Sequence, residues 1–260
     1  MEAIRLKMAS KTPSADLAAC SVDDFLGGAV RLIQPLDGYR VSMDTVLLAA
    51  CVHAKAGERV LEAGVGTAGA ALCLARRIEG VFVDGVDIQP QMIHYARMNI
   101  QFNDLDARVA VREADVRTLT GQAGTYDHIL INPPYLAQGK AIRPPDSNKG
   151  QAHMDENAVL KDWVRYSLYH AKHKASISLI YRADRLDELI ASLYGRVGDL
   201  RILPLWSREG KPAKRVIVQG RKGTHGACVM LPGLTVHGAA ERYTDNVRRI
   251  LWDGEALALA

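Results

Sequence analysis

Between residues 59 and 193 the apolar positions switch repeatedly between a two-residue and a 3.6-residue period. Runs at 59–63, 81–87, 108–112, 126–131 and 176–181 are mostly apolar and rich in β-branched residues. They read as strands buried on both faces. Between them, 68–78, 90–103, 156–172 and 185–193 space their apolar residues three and four apart, which lines one face of a helix. This alternation predicts an α/β fold built on a doubly wound, mostly parallel sheet. Right-handed crossovers then place the carboxyl ends of the strands on one edge.

The two ends of the chain read differently. Residues 28–34 predict a short strand closed by Gln34-Pro35 and the turn Asp37-Gly38, and 43–54 an apolar helix with Ser42 as N-cap. Residues 200–206 and 213–219 predict an antiparallel hairpin around the polar turn 207–212, followed by an edge strand at 228–231 and a closing helix at 244–252. Residues 1–27 are expected to be a flexible lead-in, and 28–260 a single domain with a short strand–helix extension at its start. Residues 136–152 lack periodicity and are rich in Pro, Gly and polar side chains. A loop of that length predicts a functional segment, a lid ordered by substrate.

Composition narrows the setting. The chain has 260 residues, 48% apolar and 24% charged, as expected of an ordinary globular protein. No run approaches the about 18 uninterrupted apolar residues of a membrane helix. Cys20, Cys51, Cys73 and Cys228 show neither CxxC nor metal-ligand spacing, so the expectation is a cytoplasmic protein without disulfides or a bound metal. Net charge is only +4, but eight basic residues (Arg196, Arg201, Arg208, Lys211, Lys214, Arg215, Arg221, Lys222) stand against Asp199 and Glu209 within 196–222. That run is a candidate polyanion footprint or a solvated hairpin.

The most informative chemistry is Asn132-Pro133-Pro134-Tyr135, directly after the run 126–131 and so at the carboxyl end of a strand. Two prolines remove two backbone donors and leave carbonyls that only accept. With the Asn132 side-chain oxygen, the Pro133 carbonyl forms a pair of acceptors for a planar amine, and Tyr135 offers a ring to stack on. Asn-Pro is also a common turn initiator. Upstream, Glu62-Ala63-Gly64-Val65-Gly66 runs from a strand into a helix, and Asp87 ends the next strand. Literally this contains the dinucleotide fingerprint, so an NAD-type oxidoreductase is a rival reading. Glu62, two residues before the first glycine, would crowd a pyrophosphate but suit a cationic ligand.

Glu62-x-Gly64-x-Gly66, Asp87 and Asn132-Pro133-Pro134-Tyr135, in this order and spacing, resemble the class I S-adenosylmethionine-dependent methyltransferases of the amino-methylating branch. Gln34-Pro35-x-x-Gly38-Tyr39-Arg40-Val41-Ser42-x-Asp44 is similar to the amino-terminal motif of the valine-tRNA adenine-N6 methyltransferases. The resemblance implies a seven-stranded Rossmann-like sheet, S-adenosylmethionine as cofactor and RNA, foremost tRNA, as partner. It implies that Glu62, Gly64 and Gly66 line the methionine moiety and that Asp87 holds the ribose. Asp115 would read the cofactor's adenine amine, and Arg40 and Asp44 would close over the methionine tail. Ile88, Val116 and Asn132 complete the expected cofactor contacts. Lys211, Lys214, Arg215, Arg221 and Lys222 would track phosphates.

Where many family members have a third glycine this chain has Ala68, and only a slight adjustment is expected. Asp44 and Asp115 could equally be helix N-caps. His128 is expected to be a packed strand residue, and His170 and His173 surface residues. The same tetrapeptide also serves methylation of a guanine amine in ribosomal RNA, of adenine in DNA, or of a protein glutamine amide. The glutamine enzymes carry an amino-terminal recognition domain, for which about 30 residues of lead-in leave no room.

Overall fold

The computed structural model describes residues 19–37, 40–134, 156–238 and 242–259, with side chains from Leu160 onward in the third stretch. Tyr135, Gly38, Tyr39 and the expected lid at 136–152 lie outside the described residues.

The first element among the described residues is a hairpin. Strand β1 (Cys20–Phe25) pairs antiparallel with β2 (Val30–Pro35), in register from Cys20↔Pro35 to Phe25↔Val30. Strand β1 thus occupies part of the stretch 1–27 that was expected to be a lead-in. Every residue of β1 stays at least partly exposed, so it has no apolar run to betray it and takes its conformation from the edge of β2.

The other edge of β2 meets no strand. Helix α1 (Met43–Ala50) follows, then β3 (Arg59–Ala63), α2 (Gly69–Arg77), β4 (Phe82–Asp87) and α3 (Pro90–Phe102). Two asparagines of α3 finish the β2 edge. Asn99 Oδ1 accepts from Ile33 N at 2.7 Å, and its Nδ2 donates to the carbonyls of Ile33 and Thr67, both at 3.0 Å. Asn103 repeats the pattern, accepting from Arg31 N at 3.0 Å and donating to Arg31 O at 2.8 Å. The spacing explains the match: four helical residues rise about 6 Å, and two strand residues span about 6.8 Å. The two amides thus stand in for a missing third strand.

The main sheet continues with β5 (Val109–Glu113), β6 (Tyr126–Ile131), helix α4 (Glu156–His170), β7 (Ala171–Arg182), α5 (Leu186–Leu193), β8 (Val197–Trp206) and β9 (Arg215–Lys222). Its order is β5-β4-β3-β6-β7-β9-β8, parallel through β7 and antiparallel at β9. These are the seven strands expected. Two-residue strands β10 (Val229–Met230) and β11 (Leu234–Thr235) pair parallel with β8 and raise the total to nine. Helix α6 (Asp245–Asp253) closes the chain.

Alternation along each strand feeds two cores. Val60, Leu130, Ile180 and Ile217 pack with α1, α2, α3 and α6, whereas Leu61, Ile129, Ile131, Leu179 and Val218 pack with α4 and α5. Each such side chain, fully removed from water, contributes about 1.5–3 kcal/mol. Burial on both faces is why the strands read as continuous apolar runs.

Three local expectations change. Ser42 sits at the N-cap of α1 in extended conformation, but its side chain makes no capping bond. His170, expected on the surface, is 2% exposed and wedged among the rings of Tyr126, Tyr166 and Tyr169. Burial lowers its pKa. His173 lies in β7, not on a helix, and is exposed. His128 is partly buried and bridges strands, its ring nitrogens 2.6 Å from Ser176 Oγ and 2.9 Å from Glu58 Oε2.

Replacing Asn99 by Ala strands three buried backbone groups, so Asn99→Ala is expected to destabilise the fold by on the order of 3 kcal/mol. Thermal unfolding checks this; an unchanged midpoint would mean that water or a shifted helix replaces the amide.

Candidate active site

Strand order alone assembles the site. The sheet reverses direction of growth at β3 and β6, the switch point where open α/β sheets bind ligands. These strands are paired Glu62↔Leu130 and Ala63↔Ile131. The next residues, Gly64 and Asn132, therefore leave the sheet side by side on neighbouring strands, about 4.8 Å apart in the ladder direction.

The glycine loop is held from two sides. Gly64 N and Val65 N both donate to Val86 O, at 2.8 and 2.9 Å. The φ of Gly64 is 75°, and a Cβ there would overlap the indole ring of Trp163 from α4. Four residues on, the glycine roles exchange. Ala68 takes the left-handed conformation (φ 69°, ψ 26°) that favours glycine, a cost of about 1–2 kcal/mol for an L-residue. Gly69 instead is needed for space, since a Cβ there would lie 2.6 Å from a Val41 methyl. The adjustment at Ala68 is thus backbone strain in a fully buried residue.

Three acids follow one another along the edge. Glu62 is 4% exposed and accepts a hydrogen bond from Ala71 N at 2.8 Å. Desolvation pushes its pKa up to about 8, with a further upward push from Asp87. A buried carboxyl so poorly solvated suits a cationic neighbour. Asp87, 9% exposed, accepts from Gly66 N at 3.0 Å and Gln89 N at 2.9 Å, so it also pins the glycine loop to β4. Its pKa is raised by burial, partly offset by these bonds. Asp115 is half-exposed and forked by the Arg117 guanidinium, with Nε at 2.9 and 2.8 Å from its two oxygens. That contact lowers its pKa. Its Oδ1 also accepts from Arg117 N at 2.9 Å in a turn, not a helix cap. Ile88, next to Asp87, exposes 47% of its surface, while Val116 packs against the core beneath α4.

Other expected groupings are divided. Arg40 and Asp44 do not meet as a pair: Arg40 binds Asp23 of β1 at 2.6 Å, and Asp44 binds Arg215 of β9 at 3.0 Å. The hairpin missing from the sequence reading supplies Arg40's partner. The basic run also splits, because β9 crosses the whole sheet. Arg215 pairs with Arg182 at the carboxyl edge, and Arg221 pairs with Ser176 six residues away, about 20 Å across the sheet. Lys222 then reaches back to Ala171 O at 2.8 Å. Lys211, Lys214 and Arg215 remain near the Asn132 edge; Arg221 and Lys222 do not. Asn132 is half-buried, Pro133 buried and Pro134 exposed. Among the described residues no cluster of three metal-ligating side chains occurs, and no helix is long and apolar enough to cross a membrane.

Residues 60–142 match the family model of the methyltransferase domain. The chain carries a methyltransferase domain. It is 29% identical over 157 residues to a tRNA1(Val) (adenine(37)-N6)-methyltransferase of Tolumonas auensis, covering 58% of this chain and 63% of that one, just under two thirds of the relative's length. The enzyme of the same description from Haemophilus influenzae is 25% identical over 216 residues, covering 82% of this chain and 90% of that one. Among solved structures, a predicted O-methyltransferase from Agrobacterium tumefaciens superposes with a TM-score of 0.69 at 24% identity, covering 83% of this chain and 98% of that one, a likeness of fold.

Two residues that hold the loop were absent from the sequence reading, Trp163 and Asn99. Trp163 reads as one more apolar position of an amphipathic helix, and Asn99 as a polar residue on α3. Only packing shows that one covers Gly64 and the other holds Thr67 O.

Because the folded pKa of Glu62 lies above the usual 4.5, the native state holds an extra proton between about pH 4.5 and 8. The stability tied to that proton is complete below this window and is lost as pH rises through it. Glu62→Gln keeps an acceptor for Ala71 without the charge. Its melting temperature, relative to the native chain, is expected to rise steadily from pH 5 to pH 8 in ligand-free protein. A difference independent of pH would mean that the carboxyl ionises normally.

Proposed function

We propose that this chain transfers a methyl group from S-adenosylmethionine to the N6 amine of adenine in RNA, with tRNA as the substrate. The observation that carries this reading is the register Ala63↔Ile131, which brings the glycine loop and Asn132-Pro133 out of the sheet together. The donor set fits the cofactor: a buried, poorly solvated carboxyl at Glu62, a side-chain-free turn at Gly64, and acids in strand order at Asp87 and Asp115. In this reading Glu62, Gly64 and Gly66 hold the methionine end and Asp87 the ribose. Asp115, with Ile88 and Val116, meets the adenine alongside Arg117's fork. When bound, the cofactor supplies an electrophilic methyl group on a sulfonium.

The protein's own contribution is to the acceptor amine. Its lone pair is delocalised into the ring and is a poor nucleophile. The Asn132 side-chain oxygen and the Pro133 carbonyl accept its two N–H bonds and draw the nitrogen towards tetrahedral geometry. The same two dipoles stabilise the positive charge that develops as the bond forms. No base is required before attack: as the nitrogen–carbon bond forms the carbon–sulfur bond would break to leave a neutral thioether, and the methylated nitrogen would then release one proton to water. Holding the two partners in line supplies much of the remaining acceleration. Tyr135 stacks on the base, which must be splayed from its loop. Arg40 and Asp44 serve the methionine tail by exchanging Asp23 and Arg215 for the ligand.

A guanine amine in ribosomal RNA, an adenine amine in DNA or a glutamine amide would fit the same acceptor pair. The cationic edge formed by Lys211, Lys214 and Arg215 favours a polyanion over a protein. A nicotinamide dinucleotide would leave Asn132-Pro133-Pro134 without work and place its pyrophosphate beside Glu62.

Incubation with labelled S-adenosylmethionine and bulk tRNA, followed by nucleoside analysis, is expected to yield N6-methyladenosine. Asn132→Ala should lower the turnover about 10²–10³-fold, as for other single dipoles that stabilise developing charge. Label in ribosomal RNA or protein but none in tRNA would overturn the substrate. Failure to bind S-adenosylmethionine would overturn the reaction.

A further inference from the structure

The carboxyl end of β7 and the amino end of β9 flank a hollow of about 310 Å³ lined by Arg182, Asp184, Ala213, Lys214 and Arg215. Arg182 and Arg215 are direct cross-strand partners. Like charges opposed in this way destabilise a sheet unless something offsets them. Each has an acid beside it, Asp184 at 2.6 Å from Arg182 and Asp44 at 3.0 Å from Arg215. Lys214 is exposed and adds a third cation, so among the described residues three positive groups face two carboxylates. Two bonds to one backbone oxygen shape the rim: Ala183 N donates to Lys214 O at 3.1 Å, and the Arg215 guanidinium to the same oxygen at 3.2 Å.

Position gives the hollow its meaning. β6 pairs with β7 at Ile131↔Leu179. Asn132 therefore lies level with Ile180, one strand from β7. Arg182 lies two residues further out, about 7 Å along the strand and about 5 Å to the side. A cationic hollow this close to the amine-binding tetrapeptide is placed for the phosphates that flank a base held there.

We infer that this hollow is a phosphodiester-binding subsite, with the Arg182 and Arg215 guanidinia and the Lys214 ammonium gripping the strand that carries the target base. The inference rests on the nucleic-acid reading above. It assigns Arg182 a role that neither the basic run nor the motifs indicated, and excludes Arg221 and Lys222, which sit at the opposite edge. Arg215 links the subsite to the cofactor side, since phosphate and Asp44 compete for one guanidinium.

Equilibrium binding of bulk tRNA between 50 and 200 mM salt tests this without methyl transfer. The Arg182→Gln/Lys214→Gln pair spares the Asp44 contact. It is expected to reduce the slope of log K against log salt by about 1.4–1.8, two phosphate contacts. Arg221→Gln/Lys222→Gln is expected to leave the slope unchanged. Melting temperature and S-adenosylmethionine affinity report that both pairs fold. An unchanged slope in the first pair, equal losses in both, or no tRNA binding by the native chain would overturn the subsite. If tRNA is not methylated but the first pair still loses slope, the subsite stands and the substrate reading fails. If N6-methyladenosine forms while the slope is unchanged, the substrate stands and the subsite fails.

Discussion

The parallel ladder joining β3 to β4 on one side and β6 on the other is the constraint on which the site depends. It fixes Glu62, Asp87 and Asn132 to the ends of three adjacent strands, at the point where the sheet changes its direction of growth. Backbone hydrogen bonds set this register, and the alternation of buried side chains protects it. A one-residue slip of β6 would turn Ile129 and Ile131 out of one core and Leu130 out of the other. The chemistry therefore inherits its geometry from a rigid and deeply buried part of the molecule.

Along that edge the chemical character changes in strand order. Asp115 follows β5, Asp87 ends β4, Glu62 lies in β3, Asn132 follows β6, and the cations Arg182 and Arg215 stand on β7 and β9. Buried acids mark the β3–β4 side of the edge, and cations, each paired with an acid, mark the β7–β9 side. The acids also hold the scaffold together. Asp87 binds Gly66 N, and Glu62 binds Ala71 N across the same loop. Carboxylates that bind ligands here would do so while keeping the glycine turn in shape, which accounts for two buried acids in an otherwise apolar region.

The additions to the sheet explain how the loop is braced. The β1–β2 hairpin contributes no strand to the main sheet, yet α3 ties it to the glycine loop through Asn99, which touches Ile33 and Thr67 at once. Arg40 leans on the hairpin through Asp23, and Gly69 leaves room for Val41. From the other face, Trp163 covers Gly64. The turn that bears the strained Ala68 is thus over-determined by both layers of the fold.

Much of this was legible in the sequence. The strands at 59–63 and 126–131 appear with the boundaries read from their apolar runs, because strands buried on both faces leave an unbroken hydrophobic signal. The motif order placed Glu62, Gly64, Asp87 and Asn132 on one edge for a similar reason: in a parallel sheet the chain direction dictates which strand end a motif occupies. What the sequence could not reveal depends on contacts between distant segments. β1 lacked a pattern because its partner is another strand and not the core. His170 looked like a surface residue because the ring of Tyr126, on a distant strand, closes over it together with Tyr166 and Tyr169 of its own helix. The basic run looked like one patch because sequence proximity does not reveal that β9 crosses the sheet from Arg215 to Lys222. Local pattern determined the elements, the direction of the sheet and the chemistry at its carboxyl edge. Tertiary packing decided which charges share that edge, because side-chain partners are set by strand register and layer contacts between residues far apart in the chain.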